Sequence, residues 1–443
     1  MRGPSSSHTA ASVRIGRLLL MLLGEEPKSA KFYFDPNGSV AVTYRGQGSA
    51  MGLAGGLLGM EISDPDLVKA EEVCRTMGID ISYIIESYEA IHPNTYRCDV
   101  TGVSGKNLKL TALSTGGGIV KVLEIDGKKI DDDLDYLNAL MPVKLQRDAK
   151  LPFSDIDELT AILSEKGGKL SEYALEYESA LGNISTEDVV SLGMSHALIM
   201  RHAIEKGLRG TDYDDRILHQ QSHLIRKAAE KGKIIPAGIT NKIIASVTAI
   251  METKSSMGVI VAAPTAGSCG TVGGAVMPVA DLNGNSEEET ARAILAAGLF
   301  GVFVAQDAGF AAEEGGCQYE CGAASGMAAA ALVELSGGDA ITAINAGSMA
   351  LQNMLGLICD PVADRVEIPC LGKNIMASLN ALAAANMVMA GYDHVIPARE
   401  VIRAMKDVGE SMDHRYRCTC KGGLSVTDTS RRIYDILSRN NEH

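Results

Sequence analysis

The chain has 443 residues and a net charge of −14 at pH 7, with 46% hydrophobic residues, 4% aromatic residues and no tryptophan. That length exceeds what one ordinary core fills, so two domains are expected. The acidic balance argues against a nucleic-acid or anionic-membrane partner.

The opening string GPSSSHTA (3–10) sets three serines and a histidine ahead of a helix predicted over about 9–23. Inside that helix GRLLLMLLG (16–24) is apolar, but it is brief and lacks a charged leader, so no secretory signal is read. SAKFYFDPNGSVAVTYRGQG (29–48) reads as two alternating strands joined by a DPNG turn. A helix near 64–78 follows, where Cys74 is expected to be inert packing. Then come three strand patterns, DISYIIES, TYRCDVTG and LKLTALSTGGGIVKVLEIDG. The STGGG within the last lacks the Lys-Ser/Thr sequel of a phosphate loop and precedes a strand, so it reads as a tight turn. Residues 1–148 are therefore expected to form a small α/β domain with a mixed or antiparallel sheet.

Near 146–160 the chain becomes charged, and the capping string SDIDE opens a helix. From 155 to 443 apolar residues recur at helical spacing with almost no strand pattern. The expected fold is an α/β N-terminal domain followed by a larger all-α domain. The uncharged run 255–280 is long enough to span a bilayer, yet five glycines and two prolines interrupt it. Residues 340–359 and 374–392 carry asparagines in alanine-rich patterns. All three read as buried helices of a soluble, cytoplasmic protein. His196 with His202, and His219 with His223, sit on predicted helices and read as solvated faces.

Nine cysteines in a chain of this kind are not expected to pair. Three stand in bent settings: Cys317 follows Gly-Gly, Cys359 precedes Asp-Pro, and Cys370 follows proline. No compact CxxC pair is present among them, which weighs against structural zinc. Three thiolates without an obvious fourth suit a [4Fe–4S] cluster with one iron left open as a Lewis acid. On spacing alone, buried unreactive thiols are the commoner outcome.

Seven strings shift that balance. GPSSSHTA, HPNT (92–95), STGGG (114–118), APTAGSCG (263–270), GGCQ with GAASGMAAAA (315–330), NMLGLICDPVA (353–363) and VEIPC (366–370) occur in this order. Together they resemble the iron–sulfur-dependent L-serine dehydratases (L-serine ammonia-lyases). In that family the first block belongs to a β chain or domain and the later ones to an α chain or domain. Here both lie on one polypeptide, with no ACT-type module between them.

The resemblance implies a carbon–oxygen lyase that converts L-serine to pyruvate and ammonia, is sensitive to oxygen and works as a homo-oligomer, a dimer. It implies a [4Fe–4S] cofactor on Cys317, Cys359 and Cys370. Cys269, Cys321, Cys418 and Cys420 match no family ligand. Cys418 or Cys420 is a candidate to replace the terminal cysteine with which some members close the fourth iron. Ser5, Ser6, Ser7, His8 and His92 are the implied catalytic groups, with N-capping as the alternative role for the serines. Gln47, Asn94, Thr265, Ser268 and Lys373 are the implied substrate contacts.

Several positions depart from the family's usual residues. Gln47 stands in YRGQG where a histidine is usual, Lys254 replaces an asparagine, and Lys373 replaces an arginine. DAGFAAE (307–313) puts Asp307, Gly309 and Ala311 where an asparagine and serines are usual. Another β-substituted amino acid or hydroxy acid is therefore an alternative substrate. A non-catalytic sensor of oxygen or iron is a third reading, opposed by the intact SSSH and HPNT blocks.

Overall fold

The computed structural model describes residues 1–3 and 5–440. Six strands, β1 (Pro27–Phe34), β2 (Asp80–Ile85), β3 (Thr95–Gly102), β4 (Asn107–Gly116), β5 (Ile119–Ile125) and β6 (Lys128–Lys129), form one sheet in the order β2-β1-β3-β4-β5-β6. The β1–β2 pair is parallel and the others are antiparallel, so of the two arrangements expected, mixed or antiparallel, the sheet is the mixed one. Alternation along β1 buries Ala30, Phe32 and Phe34. These pack with Ile15, Leu18 and Leu19 of the first helix in a core separate from that of the helical region.

The first helix runs Ser6–Leu23, three residues earlier than the hydrophobic pattern predicts. Its first turn thus contains Ser6, Ser7 and His8. The second strand expected after DPNG is not formed. Val40–Thr43 is a helical turn, and a helix Ser49–Leu57 follows. The reason lies in the sheet, because β2 and β3 already occupy both sides of β1 and leave no edge for a hairpin partner. In addition, Asp35 accepts the backbone N–H groups of Asn37, Tyr88 and Ala90, which fixes a wider loop than a hairpin turn. The helix expected near 64–78 is a 3₁₀ turn Pro65–Lys69 running into Ala70–Thr76, with Cys74 buried.

Beyond β6 no strand occurs among the described residues. Asp155 caps the helix Ile156–Lys166 by accepting the N–H groups of Asp157 and Glu158, as the SDIDE string predicts. Small side chains let helices approach on several sides. Within Ala323–Leu335 every residue except Glu334 is buried. Among the described residues no helix is long and apolar enough to cross a membrane.

The chain's start joins the two regions. The Met1 amino group donates to Ile260 O (2.9 Å), Arg2 Nη1 donates to Met257 O (2.6 Å), and Ser7 Oγ accepts the Ala266 N–H (2.8 Å). These bonds draw the first turn of the Ser6–Leu23 helix onto the segment 257–266.

The helices Ser6–Leu23 and Ser49–Leu57 cross at glycines. A Cβ on Gly56 would lie 2.3 Å from Val13 O and 2.7 Å from Gly16 Cα, and both obstacles are backbone. We expect Gly56→Val to lower the apparent melting temperature by about 5 °C, since overpacking a fitted core costs about 1–3 kcal/mol. Gly298→Ala, whose Cβ meets nothing within 4 Å on a helix, serves as the control and holds or raises it. Thermal melts followed by circular dichroism check both.

Candidate active site

A narrow cavity opens where the two regions meet. The sheet domain supplies Ser5, Ser7, His8, Gln47, Asn94 and the turn residues Ser114, Gly116 and Gly117. The helical region supplies Thr265, Glu313, Glu320, Cys359, Cys370 and Cys418. Each piece has a local cause. Gly116 and Gly117 take positive φ (99° and 59°) in the tight turn between β4 and β5, where a Cβ on Gly116 would press on the Phe310–Ala311 backbone at 3.1 Å. STGGG is thus a turn at the site. Asn94 is positioned by the HPNT turn, in which His92 Nδ1 accepts the Asn94 N–H (3.0 Å).

Ser5 occupies the N-cap position of the first helix but makes no side-chain cap bond. Its Oγ lies 2.8 Å from His8 Nδ1, and His8 Nε2 lies 3.1 Å from Glu313 Oε1, off the ideal donor angle. A hydroxyl, an imidazole and a carboxylate are therefore in line, two from one domain and one from the other. Burial works to raise the Glu313 carboxyl, but the hydrogen bond and charge of His8 outweigh it and hold Glu313 down at about 2. Withdrawal from solvent and the charge of Glu313 push Glu320 up to about 7, against the pull of a 2.6 Å bond donated by Thr265 Oγ1.

The helical wall is sulfur-rich. The sulfurs of Cys317 and Cys359 and a carboxylate oxygen of Glu320 lie within 4.8 Å of one another, a group able to hold a metal ion. Cys418 packs in one cluster with Cys317 and Cys359, and none of the nine cysteines is in a disulfide. Contacts with Cys317 and Cys418, and then burial, push the Cys359 thiol up; burial and then Cys317 do the same to Cys370.

Two lining residues carry buried polar atoms without a hydrogen-bond partner, Gln47 Oε1 and Asn94 Oδ1, and the Glu313 carboxylate is the one partner near His8 Nε2. Gln47 is fully buried, and its Nε2 donates to Asp364 O (3.2 Å) and reaches Cys418 Sγ (3.9 Å). Its carbonyl is left to accept.

The other expected residues lie behind the cavity wall. Ser6 Oγ donates to Gly3 O (2.9 Å), Ser268 Oγ lies 3.2 Å from Thr265 Oγ1, and His92 Nε2 lies 3.0 Å from Glu314 Oε1. Lys373 is turned towards Cys317 Sγ and Asp360 and is absent from the lining. Lys254 is fully buried and donates to Val366 O, behind the lining residue Val366. Asp307 is drawn outward into ion pairs with Arg399 and Arg403. Of the two late cysteines, Cys418 lines the cavity and Cys420 does not.

Sequence reasoning missed Glu313, Glu320, Asp360 and Asn374. Asn374 Nδ2 donates to Gly267 O (2.7 Å) and Cys370 O (2.8 Å), while its Oδ1 accepts the Gly270 N–H (3.1 Å), so it ties the APTAGSCG loop to the Cys370 helix. One signal was available: acids beside GGC, in EEGGCQYEC, interrupt a long run of small apolar residues. Buried acids in such a run need a partner or a task.

The Glu313 carboxyl, depressed in the folded state to about 2, contributes stability that is present above its ordinary value near 4.5 and is lost as pH falls towards 2. We expect the melting temperature of the wild type to fall more steeply between about pH 5 and pH 2 than that of Glu313→Gln. Parallel slopes in melts across that range contradict the His8–Glu313 pairing.

A family model described as serine dehydratase alpha chain matches residues 165–425. The probable L-serine dehydratase alpha chain of Bacillus subtilis is 37% identical over 282 residues, covering 63% of this chain and 94% of the relative. The L-serine dehydratase alpha chain of Peptoniphilus asaccharolyticus is 34% identical over 278 residues, covering 62% and 95%. The L-serine dehydratase of Streptomyces coelicolor is 29% identical over 456 residues, covering 96% of each chain, so the sheet domain is matched as well. The lyase family anticipated from the seven strings is the one matched, and the chain belongs to the serine dehydratase alpha chain family.

Proposed function

We propose that this enzyme eliminates water from L-serine, releasing pyruvate and ammonia, with a [4Fe–4S] cluster on Cys317, Cys359 and Cys370. The observation that carries the reading is the cavity itself. Orphaned acceptors on Gln47 and Asn94 and the acids Glu313 and Glu320 suit a ligand rich in N–H and O–H donors, and they face a wall of buried thiols. The donor set fits an iron–sulfur group. The sulfurs of Cys317 and Cys359 converge. Cys370 is outside that group but close enough to Cys317 for their charges to interact. None is in a disulfide, and buried thiols ionise when a cationic core compensates them. A bound cluster with an open iron supplies a Lewis acid for a departing hydroxyl.

The rest is done by side chains and backbone. Free N–H groups of the first helical turn favour a carboxylate, and Ser5 leaves them uncapped by turning to His8. The acceptors of Gln47 and Asn94 and the Glu320 carboxyl orient the ammonium group. With the proton of neutral His8 on Nε2, beside Glu313, Nδ1 accepts from Ser5 Oγ. Ser5 Oγ then takes the α-proton while passing its own proton to Nδ1, and Glu313 stabilises the imidazolium. The proton then held by His8 is passed back to the β-hydroxyl, which departs as water, and the enamine left behind tautomerises and takes up water to give pyruvate and ammonia.

This reading assigns residues 1–148 to the family's β-type part and 155–443 to its α-type part. On the same resemblance it takes the enzyme to be a cytoplasmic, oxygen-sensitive homodimer. A related elimination from another β-substituted amino acid is favoured by one observation, the fully buried Gln47 with its free carbonyl where the family carries a histidine.

Anaerobically reconstituted protein is expected to be brown, to hold about four irons per chain and to release pyruvate from L-serine. Cys317→Ser, Cys359→Ser and Cys370→Ser each lose the iron, whereas Cys74→Ser keeps it. A colourless protein, or one inert towards a panel of β-hydroxy and β-thiol amino acids, overturns the proposal. His8→Ala is expected to lower kcat about 10²- to 10⁴-fold with iron content unchanged. Gln47→His is expected to shift kcat/KM towards serine without adding an ionisation to the pH–rate profile. A general gain in kcat with a new ionisation near neutrality shows instead that Gln47 stands where a proton carrier belongs.

A further inference from the structure

We propose that Lys373 is a positioning residue for the cluster, raising its affinity for an electron and hence the acidity of its iron, rather than a contact for the substrate. This rests on the cluster reading above. Lys373 stands one turn beyond Cys370 on the helix Cys370–Met389. Its Nζ lies 2.7 Å from Ile358 O, 2.7 Å from Asp360 Oδ1 and 3.8 Å from Cys317 Sγ. An ammonium group has three donors, and all three are taken, two by oxygen and one by sulfur. None is left for a ligand, and the side chain does not line the cavity.

The anchor is fixed. Asp360 also accepts the Leu424 N–H (2.9 Å) through its other oxygen, so the carboxylate cannot follow the lysine elsewhere. At 11% exposure the ammonium is little screened by water. Its nearest sulfur, Cys317, belongs to the group with Cys359 and Glu320 that is able to hold a metal ion. A buried cation donating N–H to a ligand sulfur withdraws charge from the thiolate and stabilises the more negative, reduced state. Electron withdrawal at the sulfur likewise makes the iron a stronger acceptor for an oxygen ligand.

The test is a reductive titration of the anaerobically reconstituted full-length enzyme. Dithionite supplies the single electron, mediators set the potential, and electron paramagnetic resonance reports the reduced cluster. Lys373→Met is expected to weaken reduction about tenfold, a fall of about 59 mV for one electron, while Lys373→Arg keeps the wild-type potential. If Lys373→Met takes up no iron, Lys373→Gln, which keeps N–H donors without charge, is titrated and shows the same fall. Wild-type potential in either loaded neutral variant overturns the role of Lys373 and leaves the cluster reading standing. A wild-type protein that binds no cluster overturns both. A rise in KM for L-serine with an unchanged potential assigns Lys373 to substrate binding instead.

Discussion

Everything at the site depends on how residues 1–3 and 5–8 are held. The Met1 amino group, the Arg2 guanidinium and the Ser7 hydroxyl bond to backbone atoms of 257–266, so the helix Ser6–Leu23 begins inside the interface and not at the surface. His8 reaches Glu313 only because that turn is docked. The sheet then serves as a platform: its core packs the far end of the same helix, and the turn between β4 and β5 closes one side of the cavity. On the proposed mechanism, the residues that act together come from both regions, so the seam is under functional as well as structural constraint.

The second organising feature is the handling of buried charge. Glu313 and Glu320 share one cavity, yet the pairing with His8 keeps the first ionised while burial and repulsion push the second up to about 7. Two like acids in different environments are thereby given different proton affinities. On the sulfur side, Lys373 and Asp360 form a buried ion pair at 2.7 Å whose cation is turned towards Cys317. Ion pairs of this kind contribute little net stability and are better understood as fixing geometry.

Much of this was legible in the sequence, for identifiable reasons. Strand alternation and helical spacing reflect burial of one face, so a sheet followed by a helical region is legible from the pattern, while the choice between mixed and antiparallel pairing is not. The DPNG segment failed because turn chemistry is local, whereas the absence of a free edge on β1 is a property of the whole sheet. The thiols of Cys359 and Cys370 and the hydroxyls of Ser5 and Ser7 could be placed near one another by ordered motifs. Glu313 and Glu320 could not, because an acid in an alanine-rich run declares a need for a partner without naming it. The family resemblance implies both Gln47 and Lys373 as substrate contacts. Only Gln47 lines the cavity, since the direction of a lysine on a helix depends on acceptors such as Ile358 O that no spacing rule supplies.

The central claim is that Ser5 and His8 from one domain and Glu313 from the other act as a single proton relay. A double-mutant cycle measures that directly: kcat/KM for L-serine in His8→Gln, Glu313→Gln and the double variant, each at equal iron content. Groups acting as one unit lose their effect together. The account predicts a double variant no slower than about twofold below the worse single variant. Losses that multiply in full across the pair would contradict it.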